Sequence, residues 1–554
     1  MRLKKFVLII SLILLGVGLI GSIFFTYFAG SYTIRSQQLT SADGTELTSL
    51  VYTPTDTSSG NLPGIVIAHG FCSNKQAMQG IALELVKCGF VVINIDFRGH
   101  GESDGNLDFE RDALIEDVYS AVQYLKSLSY VDNNSIGLVG HSMGGQAVMR
   151  TAIQYQAEIN ATVSIGMVGS NDSRYAINGT AISNLLIAMG GLEELFTEAQ
   201  ALAFLQNATG GIPGVVPNQL YGNHTYGNAT KLFIAPFADH ILEITDVQIM
   251  AETCAWFRDS FYTTSTPPIT DLYRQIFILL SVAGAGMAFF PVNAYLKPII
   301  QRHQPENPRK IDDPGYKKKV FLYIAGYWLV TIIAFVLLLP LSMIFAQNLN
   351  FIMGNFLIGL FVGYAIGLLL MFYVIHKRVD KDPRPFLRRI KEQISNHFNQ
   401  SMFFGIVIFL FSFGTLVGLL HWSFFDLLLT TREFGATLML AMILFPYALL
   451  DQLYIRNMQS HIAKGRLKEE FKVVLLASVA KITMFIPVLF VDLGLASIAV
   501  MILLIGFPFL ELLTTWIYMY SGRNLIAPAI YLTLILSWVL VAVMPFGNYA
   551  YSFI

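Results

Sequence analysis

Residues Ser135 to Ala147, with the sequence SIGLVGHSMGGQA, decide the fold of the first half of this chain. The apolar run from Ile136 to Val139 predicts a buried strand, and the pattern from Gly145 onward predicts a helix. Between them stands Gly140-His141-Ser142-Met143-Gly144, the G-x-S-x-G pattern of a tight turn that exposes a serine oxygen. Glycines suit this turn because they have no Cβ that could collide inside it. The start of the helix directs free N–H groups and a positive dipole end towards any anion that forms at Ser142.

The composition divides the chain into two parts. Of its 554 residues, 54% are hydrophobic and 13% are charged, which is too apolar for a single soluble globule. Residues 31–268 have an ordinary soluble composition, whereas long apolar runs occupy nearly everything after residue 272. The net charge of −1 implies no bulk attraction to nucleic acid, and the three cysteines are too sparse for a disulfide framework or a metal site. We therefore expect a soluble domain over residues 31–268 and an all-α membrane domain over residues 269–554.

Apolar runs and basic loops together predict a membrane topology. Phe6 to Phe28 follows basic residues and is long enough to span a bilayer, so residues 1–30 are interpreted as an uncleaved anchor with a cytoplasmic N-terminus. Small residues at 29–31 leave cleavage as an alternative. Three loops rich in Lys and Arg, at 297–319, 376–397 and 454–472, fall on the side of the N-terminus, which places the soluble domain outside. The eight further predicted spans lie near 272–296, 319–345, 349–375, 403–425, 433–453, 471–491, 494–519 and 525–545.

The soluble segment also contains N-x-S/T sequences, which are acceptors for N-glycosylation in secreted domains. They agree with the predicted topology, although a chance excess of Asn and Thr in loops is the alternative. The asparagines concerned are Asn133, Asn160, Asn171, Asn178, Asn207, Asn223 and Asn228.

Strand and helix patterns alternate through the soluble segment. Asp43-Gly44 separates two alternating runs and predicts a β-hairpin. The later pattern predicts a parallel sheet with helices on both faces, whose ligands bind at the carboxyl ends of the strands. The predicted strands are 62–68, 90–95, 136–139, 161–168, 184–188 and 231–235, and the predicted helices are 75–88, 111–128 and 247–261.

Candidate catalytic residues follow several of these strands. His240 comes after the last one and is expected to act as the general base for Ser142. Glu193 is expected to accept a hydrogen bond from the imidazole and to fix its tautomer. Its near rival is Glu194 and its distant rival is Asp172.

Two backbone donors complete the predicted site. The N–H groups of Phe71 and Met143 are expected to form an oxyanion hole, because each lies at a turn that faces Ser142. His69 is a candidate for a purely structural role. In the loop that begins at Asp96, a pairing of Asp96 with Arg98 is expected to hold the backbone.

Four motifs together resemble the α/β-hydrolase family, over residues of about 31–265. They are His69-Gly70-Phe71, Asp96-x-Arg98-Gly99-x-Gly101-x-Ser103, Gly140 to Gly145, and Ala238-Asp239-His240. The nearest branches are the serine-aminopeptidase-like and monoacylglycerol-lipase-like group and the dienelactone-hydrolase-like group. The resemblance implies an α/β-hydrolase fold and the order serine, acid, histidine, which maps onto Ser142, Glu193 and His240 and leaves His100 a poor base candidate. Two departures are a glutamate where aspartate is usual and a lid of only residues 169–183.

The membrane half carries two charges inside predicted spans, Lys481 and Glu511. Because such charges are costly, a structural pair between them is the first interpretation, and a transport or lipid-headgroup role is the second. The whole sequence predicts a multi-pass membrane protein whose serine hydrolase domain cleaves acyl or lipid-like esters, without a metal or organic cofactor. The alternatives are an amidase or peptidase, and a transporter or receptor whose hydrolase-like domain only binds. The expected partners are a small-molecule or lipid ester and the bilayer, not nucleic acid, and the oligomeric state is not predicted.

Overall fold

A computed structural model describes residues 2–58, 60–108, 112–169, 176–300, 315–346, 351–352, 354–395, 397–462, 467–482 and 496–547. Its first half contains a single mixed sheet with helices on both sides, and its second half is a bundle of long helices. The strands are β1 (Tyr32–Thr40), β2 (Glu46–Pro54), β3 (Leu62–Ala68), β4 (Val91–Ile95), β5 (Val131–His141), β6 (Ala161–Ile165), β7 (Leu185–Gly190), β8 (Leu220–Tyr221) and β9 (Thr230–Ala235). Besides the N-terminal helix α1 (Arg2–Tyr27), the helices around the sheet are α2 (Gln79–Lys87), α3 (Ala113–Ser127), α4 (Met143–Gln154), α5 (Glu198–Ala208) and α6 (Val247–Phe261).

The sheet has the spatial order β1-β2-β4-β3-β5-β6-β7-β9-β8. β1 and β2 form the predicted antiparallel hairpin, in which Leu39 lies opposite Leu47. The strands from β4 to β9 in this order run parallel to one another, and β2 and β8 join them antiparallel. The segments that follow β3, β5, β7 and β9 therefore meet at one edge of the sheet.

Two apolar clusters cover the two faces of the sheet. In β3, Val66 and Ala68 belong to the cluster that includes α3, α4 and α5, whereas Ile65 and Ile67 belong to the cluster that includes α2 and α6. Successive side chains of a strand point to opposite faces, so an unbroken apolar run is what a doubly covered strand requires. The predicted fold class, a mostly parallel sheet with helices on both faces, is confirmed.

Strand positions were predicted better than strand lengths. β6 ends at Ile165 instead of Val168, because Gly166 takes a positive φ of 57° that turns the chain out of the sheet. β8 was missed, since a two-residue strand has no periodicity to detect.

The second half consists of helices α7 (Asp271–Ile300), α8 (Tyr316–Ala346), α9 (Gly354–Ile375), α10 (Phe386–Ser395), α11 (Phe398–Leu420), α12 (Thr431–Ser460), α13 (Leu467–Ile482), α14 (Ala496–Tyr520) and α15 (Ile526–Val543). Within the described residues, seven helices are long and apolar enough to cross a membrane: α1, α7, α8, α9, α11, α12 and α15. The predicted spans 471–491 and 494–519 overlap α13 and α14, and residues 483–495 between these helices lie outside the described ranges. The count of nine spans thus stays a prediction.

Helix α1 packs along α7 through small residues. A Cβ at Gly18 would collide with the backbone and side chain of Ser281, and a Cβ at Gly284 would collide with the backbone of Leu15. Small residues let two helix backbones approach closely, which is how apolar helices gain packing energy where water is absent.

The two halves of the chain meet through buried polar contacts. The side chain of Asn74 donates to the carbonyl oxygen of Asp426 at 3.1 Å and accepts from its N–H at 3.2 Å. Leu107 N–H donates to the Phe546 carbonyl oxygen at 2.7 Å, and Phe546 N–H donates to the Gly99 carbonyl oxygen at 2.9 Å. The end of α15 is thereby fixed to the loop that follows β4.

The predicted pair of Lys481 and Glu511 is present and has a third member. Lys481 Nζ contacts a carboxylate oxygen of Glu511, and it lies 3.0 Å from Asp451 Oδ2. Tyr327 donates its hydroxyl to Asp451 Oδ1 at 2.9 Å. All three charged side chains are buried, so one cation faces two carboxylates inside the helical bundle.

Candidate active site

The turn after β5 has the geometry that its glycines predict. Ser142 takes φ 52° and ψ −117°, a left-handed conformation that is uncommon outside glycine, and α4 begins at the next residue. A Cβ at Gly140 would collide with the carbonyl oxygen of Gly144, and a Cβ at Gly144 would collide with the carbonyl oxygens of Ala68 and His69. Gly140 is therefore needed for the turn to close on itself, and Gly144 is needed for the turn to pack against the end of β3.

Three side chains from distant parts of the chain meet at this turn. His240 Nε2 lies 3.0 Å from Ser142 Oγ, and His240 Nδ1 lies 2.8 Å from Glu193 Oε2. Ser142 and His240 are buried, and the side chain of Glu193 is 1% exposed. Burial acts to raise the pKa of Glu193, but its hydrogen bond with His240 and the charge of the imidazole outweigh burial and lower that pKa. Serine, imidazole and carboxylate form one continuous hydrogen-bonded chain.

The rival carboxylates fall elsewhere. Glu194 Oε2 accepts from the backbone N–H of His240 at 3.1 Å, so it holds the main chain of this residue and not its ring. Glu193 itself is positioned by its neighbour, because its Oε1 accepts from the Leu195 N–H at 2.8 Å. Asp172 lies outside the described residues.

A second buried carboxyl group, Glu243, lies next to Glu193 and was not among the predicted residues. Its Oε1 accepts from the Gly190 N–H at 2.6 Å, and its Oε2 lies 3.9 Å from His240 Nδ1. Burial, followed by the negative charge of Glu193, raises the pKa of Glu243 to about 9. Glu243 is therefore neutral at pH 7, whereas Glu193 is ionised. The position of the Glu243 side chain requires glycine at residue 166, since a Cβ there would collide with Glu243 Oε2.

His141, inside the serine turn, contacts the backbone of His240. His141 Nε2 donates to the carbonyl oxygen of His240 at 2.9 Å, and burial lowers its pKa to about 4. His141, His240 and Glu243 also place atoms that could bind a metal within 4.8 Å of one another. These imidazoles already hydrogen-bond to Ser142, Glu193 and a carbonyl oxygen, so the contacts describe a hydrogen-bonded network.

The segment that carries Phe71 lies against the serine. A Cβ at Gly70 would be 3.3 Å from the Ser142 Cβ, and Met143 is the first residue of α4, whose N–H has no acceptor within its own helix. His69 fixes this segment: it accepts from the Phe97 N–H at 3.1 Å and donates through Nδ1 to the Gly70 carbonyl oxygen at 2.7 Å. Burial lowers the pKa of His69 to about 4, so the ring is neutral and structural.

The predicted pairing of Asp96 with Arg98 is wrong. Asp96 Oδ2 lies 2.6 Å from Lys75 Nζ, whereas Arg98 pairs with Asp117 and with Asp43, each at 2.6 Å. Each side chain instead meets a partner that is distant in sequence, which spacing along the chain does not reveal.

His100 is buried away from the serine, with its ring 5.0 Å from that of His69. It donates through Nδ1 to the Arg98 carbonyl oxygen at 3.2 Å. The structure agrees with the expectation that His100 is not the base.

Three features decide the fold. The mostly parallel sheet has this strand order, a strained serine lies between β5 and α4, and a histidine follows the last parallel strand. The soluble domain has an α/β-hydrolase fold. Residues 63–200 of the hydrolase domain match the family model described as "Serine aminopeptidase, S33".

Among curated proteins, an uncharacterized 31.7 kDa protein of Escherichia coli is 37% identical over 105 residues, which cover 18% of this chain and 35% of that protein. An sn-1-specific diacylglycerol lipase, ABHD11, of Xenopus tropicalis is 32% identical over 140 residues, which cover 25% of this chain and 42% of that protein. The chain thus spans less than half the length of these relatives. Among solved structures, an esterase of Pyrococcus furiosus aligns with 41% of this chain and 93% of its own at a TM-score of 0.32 and 17% identity.

Exposed apolar side chains lie close to two residues of the site in the chain. Leu192, Phe237, Ile241 and Leu242 are each more than half exposed and fall within three residues of Glu193 or His240. We call these four residues the apolar rim. Thr245, three residues after Leu242, lies near the start of α7, since Gln275 donates to its carbonyl oxygen at 2.7 Å.

Proposed function

We propose that this protein is a membrane-bound serine hydrolase that cleaves carboxylic esters of acyl or lipid type. The observation that carries the proposal is the pair of distances on His240, 3.0 Å to Ser142 Oγ and 2.8 Å to Glu193 Oε2. A serine hydroxyl is a weak nucleophile until a base within hydrogen-bond reach removes its proton.

The reaction follows from these roles. His240 Nε2 takes the proton of Ser142 as Oγ attacks the ester carbonyl carbon, and Glu193 stabilises the imidazolium that results. The N–H groups of Phe71 and Met143 stabilise the negative oxygen of the tetrahedral intermediate. His240 then protonates the departing alcohol. Water, activated by the same imidazole, releases the carboxylic acid from the acyl-enzyme and restores Ser142.

The apolar rim supports a lipid-like substrate. Exposed apolar side chains of this number, beside the start of a membrane helix, suit a loop that touches the bilayer surface. The end of α15 also lies beside the Phe71 segment, since Cys72 Sγ contacts Met544 Sδ at 3.6 Å. An ester that enters from the bilayer would reach Ser142 between these elements. The similarity to the Xenopus tropicalis protein, a diacylglycerol lipase, supports the same substrate class.

A fluorophosphonate probe tests the proposal on the purified full-length protein. We expect covalent labelling of the wild type and none of Ser142→Ala. Ser120→Ala, which removes a serine hydroxyl from α3, should label like the wild type. Labelling of Ser142→Ala at the wild-type rate would remove Ser142 from the mechanism.

The second candidate function is an amidase or peptidase, which the description of the matching family model favours. Matched assays of short acyl esters and of peptide amides distinguish it. Faster turnover of the amides, lost in Ser142→Ala, would replace the ester proposal. A transporter or receptor whose domain only binds would have no need of a buried Ser–His–Glu chain, so the distances favour catalysis.

We propose further that the hydrolase domain is extracytoplasmic. Arg432, at the start of α12, donates to the Gly105 carbonyl oxygen of the hydrolase domain at 2.7 Å, whereas Asn457, near its end, contacts Arg389 of the basic segment 376–397. The basic segment thus lies at the end of the bundle away from the hydrolase domain, as a cytoplasmic loop would. In sealed right-side-out vesicles, an impermeant maleimide should label Glu198→Cys, and Arg388→Cys only after permeabilisation. The reverse pattern would invert the topology.

A further inference from the structure

We propose that the helical half contains a binding site for a phosphate-bearing anion, at the end of the bundle away from the hydrolase domain. A cavity of about 670 Å³ lies there, between the segment after α9, the end of α12 and the loop from α14 to α15. Its volume falls within the usual range for small-molecule sites, roughly 300–1,000 Å³. α12 has 30 residues and runs from the hydrolase domain to this cavity, a distance of roughly 45 Å at about 1.5 Å per residue.

The lining carries an excess of positive charge. Its carboxylates are Asp380, Asp382 and Glu392, and its cations are Lys319, Lys381, Arg384, Arg389, Arg456 and Arg523. Arg384 pairs with Asp382 and Glu392, and Arg389 pairs with Asp380. Arg523 pairs at 2.7 Å with Glu470, which lies outside the lining. With Glu470 included, the six cations still outnumber the four carboxylates, and this excess attracts an anion into the cavity.

Arg456 lines the cavity, and the oxygen atoms to which its guanidinium donates are neutral. Its guanidinium donates to Gln452 Oε1 at 2.8 Å, Gln459 Oε1 at 2.9 Å and Thr515 Oγ1 at 2.9 Å, all of them neutral oxygens. Within the described part of the chain, no carboxylate oxygen pairs with this buried side chain. The carboxylates of Glu511, Glu470 and Asp451 attract this charge without contacting it, so an anion bound in the cavity would be its direct partner.

Other polar atoms of the lining are buried and have no hydrogen-bond partner among the described residues. They are Arg389 Nε, His461 Nδ1 and Asp380 Oδ1. Arg389 Nε lies 3.7 Å from Asp382 Oδ2, and Asp380 Oδ1 lies 3.6 Å from His461 Nε2, so these two atoms are within ion-pair distance of an opposite charge. Of the three, His461 Nδ1 points to a missing partner. The arginine and, when its Nδ1 carries the proton, the histidine would donate to phosphate oxygens, for which the planar guanidinium is well suited.

Two kinds of ligand carry such a phosphate group, a phospholipid headgroup and a free polyol phosphate. The experiment distinguishes between them. The full-length protein is placed in nanodiscs of phosphatidylcholine. One arm titrates glycerol 3-phosphate by calorimetry. The other arm measures a fluorescent phosphatidylglycerol by energy transfer from tryptophan. Saturable binding of the lipid alone assigns a headgroup site, and saturable binding of glycerol 3-phosphate assigns a soluble ligand.

Matched variants locate the binding. Arg389→Gln should weaken it roughly tenfold or more, because a charge-assisted bond is lost, whereas Arg388→Gln, on the adjacent exposed arginine, should not. Lys381→Gln, on an exposed lining residue, should also weaken binding while Lys377→Gln does not, which covers the case in which Arg389→Gln fails to fold. Absence of saturable binding by both probes, or equal weakening by lining and control variants, would overturn the proposal.

Discussion

At Ser142 the backbone is strained at the turn that exposes the side-chain oxygen to His240. A non-glycine residue at φ 52° and ψ −117° costs on the order of 1–3 kcal/mol, and such conformations persist only where the surroundings impose them. Here the Ser142 N–H donates to the Ile165 carbonyl oxygen at 2.8 Å, and its own carbonyl accepts from Gln146 at 3.1 Å. Strand β6 and helix α4 together hold the serine in place.

Glu193 and Glu194 provide a neighbouring pair for a mutational test. Glu193→Gln should lower kcat for a short acyl ester roughly 10³–10⁴-fold, because an amide neither fixes the tautomer of His240 nor stabilises its cation. Glu194→Gln should lower kcat less than about tenfold, since Glu194 contacts only the His240 backbone. Steady-state kinetics on both variants measure these changes in kcat. A larger loss of kcat in Glu194→Gln than in Glu193→Gln would make Glu194 the carboxylate that assists His240.

Glu243 predicts a dependence of stability on pH. An ordinary glutamate with a pKa of 4.5 loses its proton in the unfolded chain, while the folded protein holds the proton of Glu243 up to about pH 9. The unfolded state therefore binds fewer protons between these values, and the free energy of unfolding falls as pH rises through this window. Glu243→Gln should remove that part of the decline.

Thermal unfolding in detergent between pH 5 and pH 9 measures this effect. The Tm of the wild type should decline more steeply with pH than that of Glu243→Gln. Parallel curves for the two proteins would mean that Glu243 is ionised in the native state.

Sequence reasoning located the site residues that belong to a local motif or a known chain order. It missed the residues whose partners are distant in the chain. Ser142 and His240 follow from a turn pattern and from chain order. Glu243 has no such signal, because its main partner is the Gly190 N–H, far away in the chain. The predicted partner of Arg98 was Asp96, the acid nearest in sequence. Its actual partners, Asp43 in the β1–β2 turn and Asp117 in α3, are distant in the chain and leave no local signal.

At the scale of elements, the apolar rim makes a prediction about substrate form. Replacing Phe237 and Ile241 by Ser should lower the hydrolysis of diacylglycerol in vesicles roughly tenfold, because the loop loses apolar area that can enter the bilayer surface. Hydrolysis of a soluble short-chain ester should stay within about twofold.

The control for the rim is Tyr226→Ser, which removes an equally exposed aromatic ring just before β9, at the opposite edge of the sheet. It should alter neither activity. Equal loss on vesicles and on the soluble ester in the rim variant would assign Phe237 and Ile241 to the site itself.

The contact between α1 and α7 gives a second test at this scale. Gly18→Val should lower the Tm of the purified protein, because its side chain would enter the backbone of α7 at Ser281. Gly16→Val is the matched control, since nothing lies within 4 Å of a Cβ at that position. Equal Tm values for the two variants would mean that α1 does not pack on α7 in the membrane.

Elements with strong periodicity were predicted within a few residues, and α6 was predicted at its observed bounds. Differences occur where a tertiary contact sets the end of an element. Helix 75–88 begins with a 3-10 turn from Lys75, because Asp96 accepts both from the Lys75 N–H at 2.7 Å and from its ammonium group. A single sequence does not show such a contact.

At the scale of the whole molecule, we expect the free energy of unfolding to depend on the balance of charge within the cluster of Lys481, Asp451 and Glu511. Lys481→Met should lower the free energy of unfolding by roughly 3–5 kcal/mol, because it leaves two buried carboxylates without a cation. Lys472→Met, on an exposed position of α13, should have little effect. Thermal unfolding in detergent compares the two variants.

A triple variant tests the electrostatic origin of this loss. Adding Asp451→Asn and Glu511→Gln to Lys481→Met removes every charge of the cluster and should restore most of the stability. Failure to restore it would mean that packing, and not charge, explains the effect of Lys481→Met.

The hydrogen bonds that join Gly99 and Leu107 to Phe546 link an early loop to a segment made almost a whole chain later. Ribosomes deliver domains from the N-terminus onward, so the sheet has time to form long before Phe546 emerges. Until then the loop after β4 presents unpaired backbone groups, the kind of surface that invites pairing with foreign chains. Biosynthesis of this protein thus passes through an interval in which the loop after β4 lacks the backbone partner that it has in the complete chain.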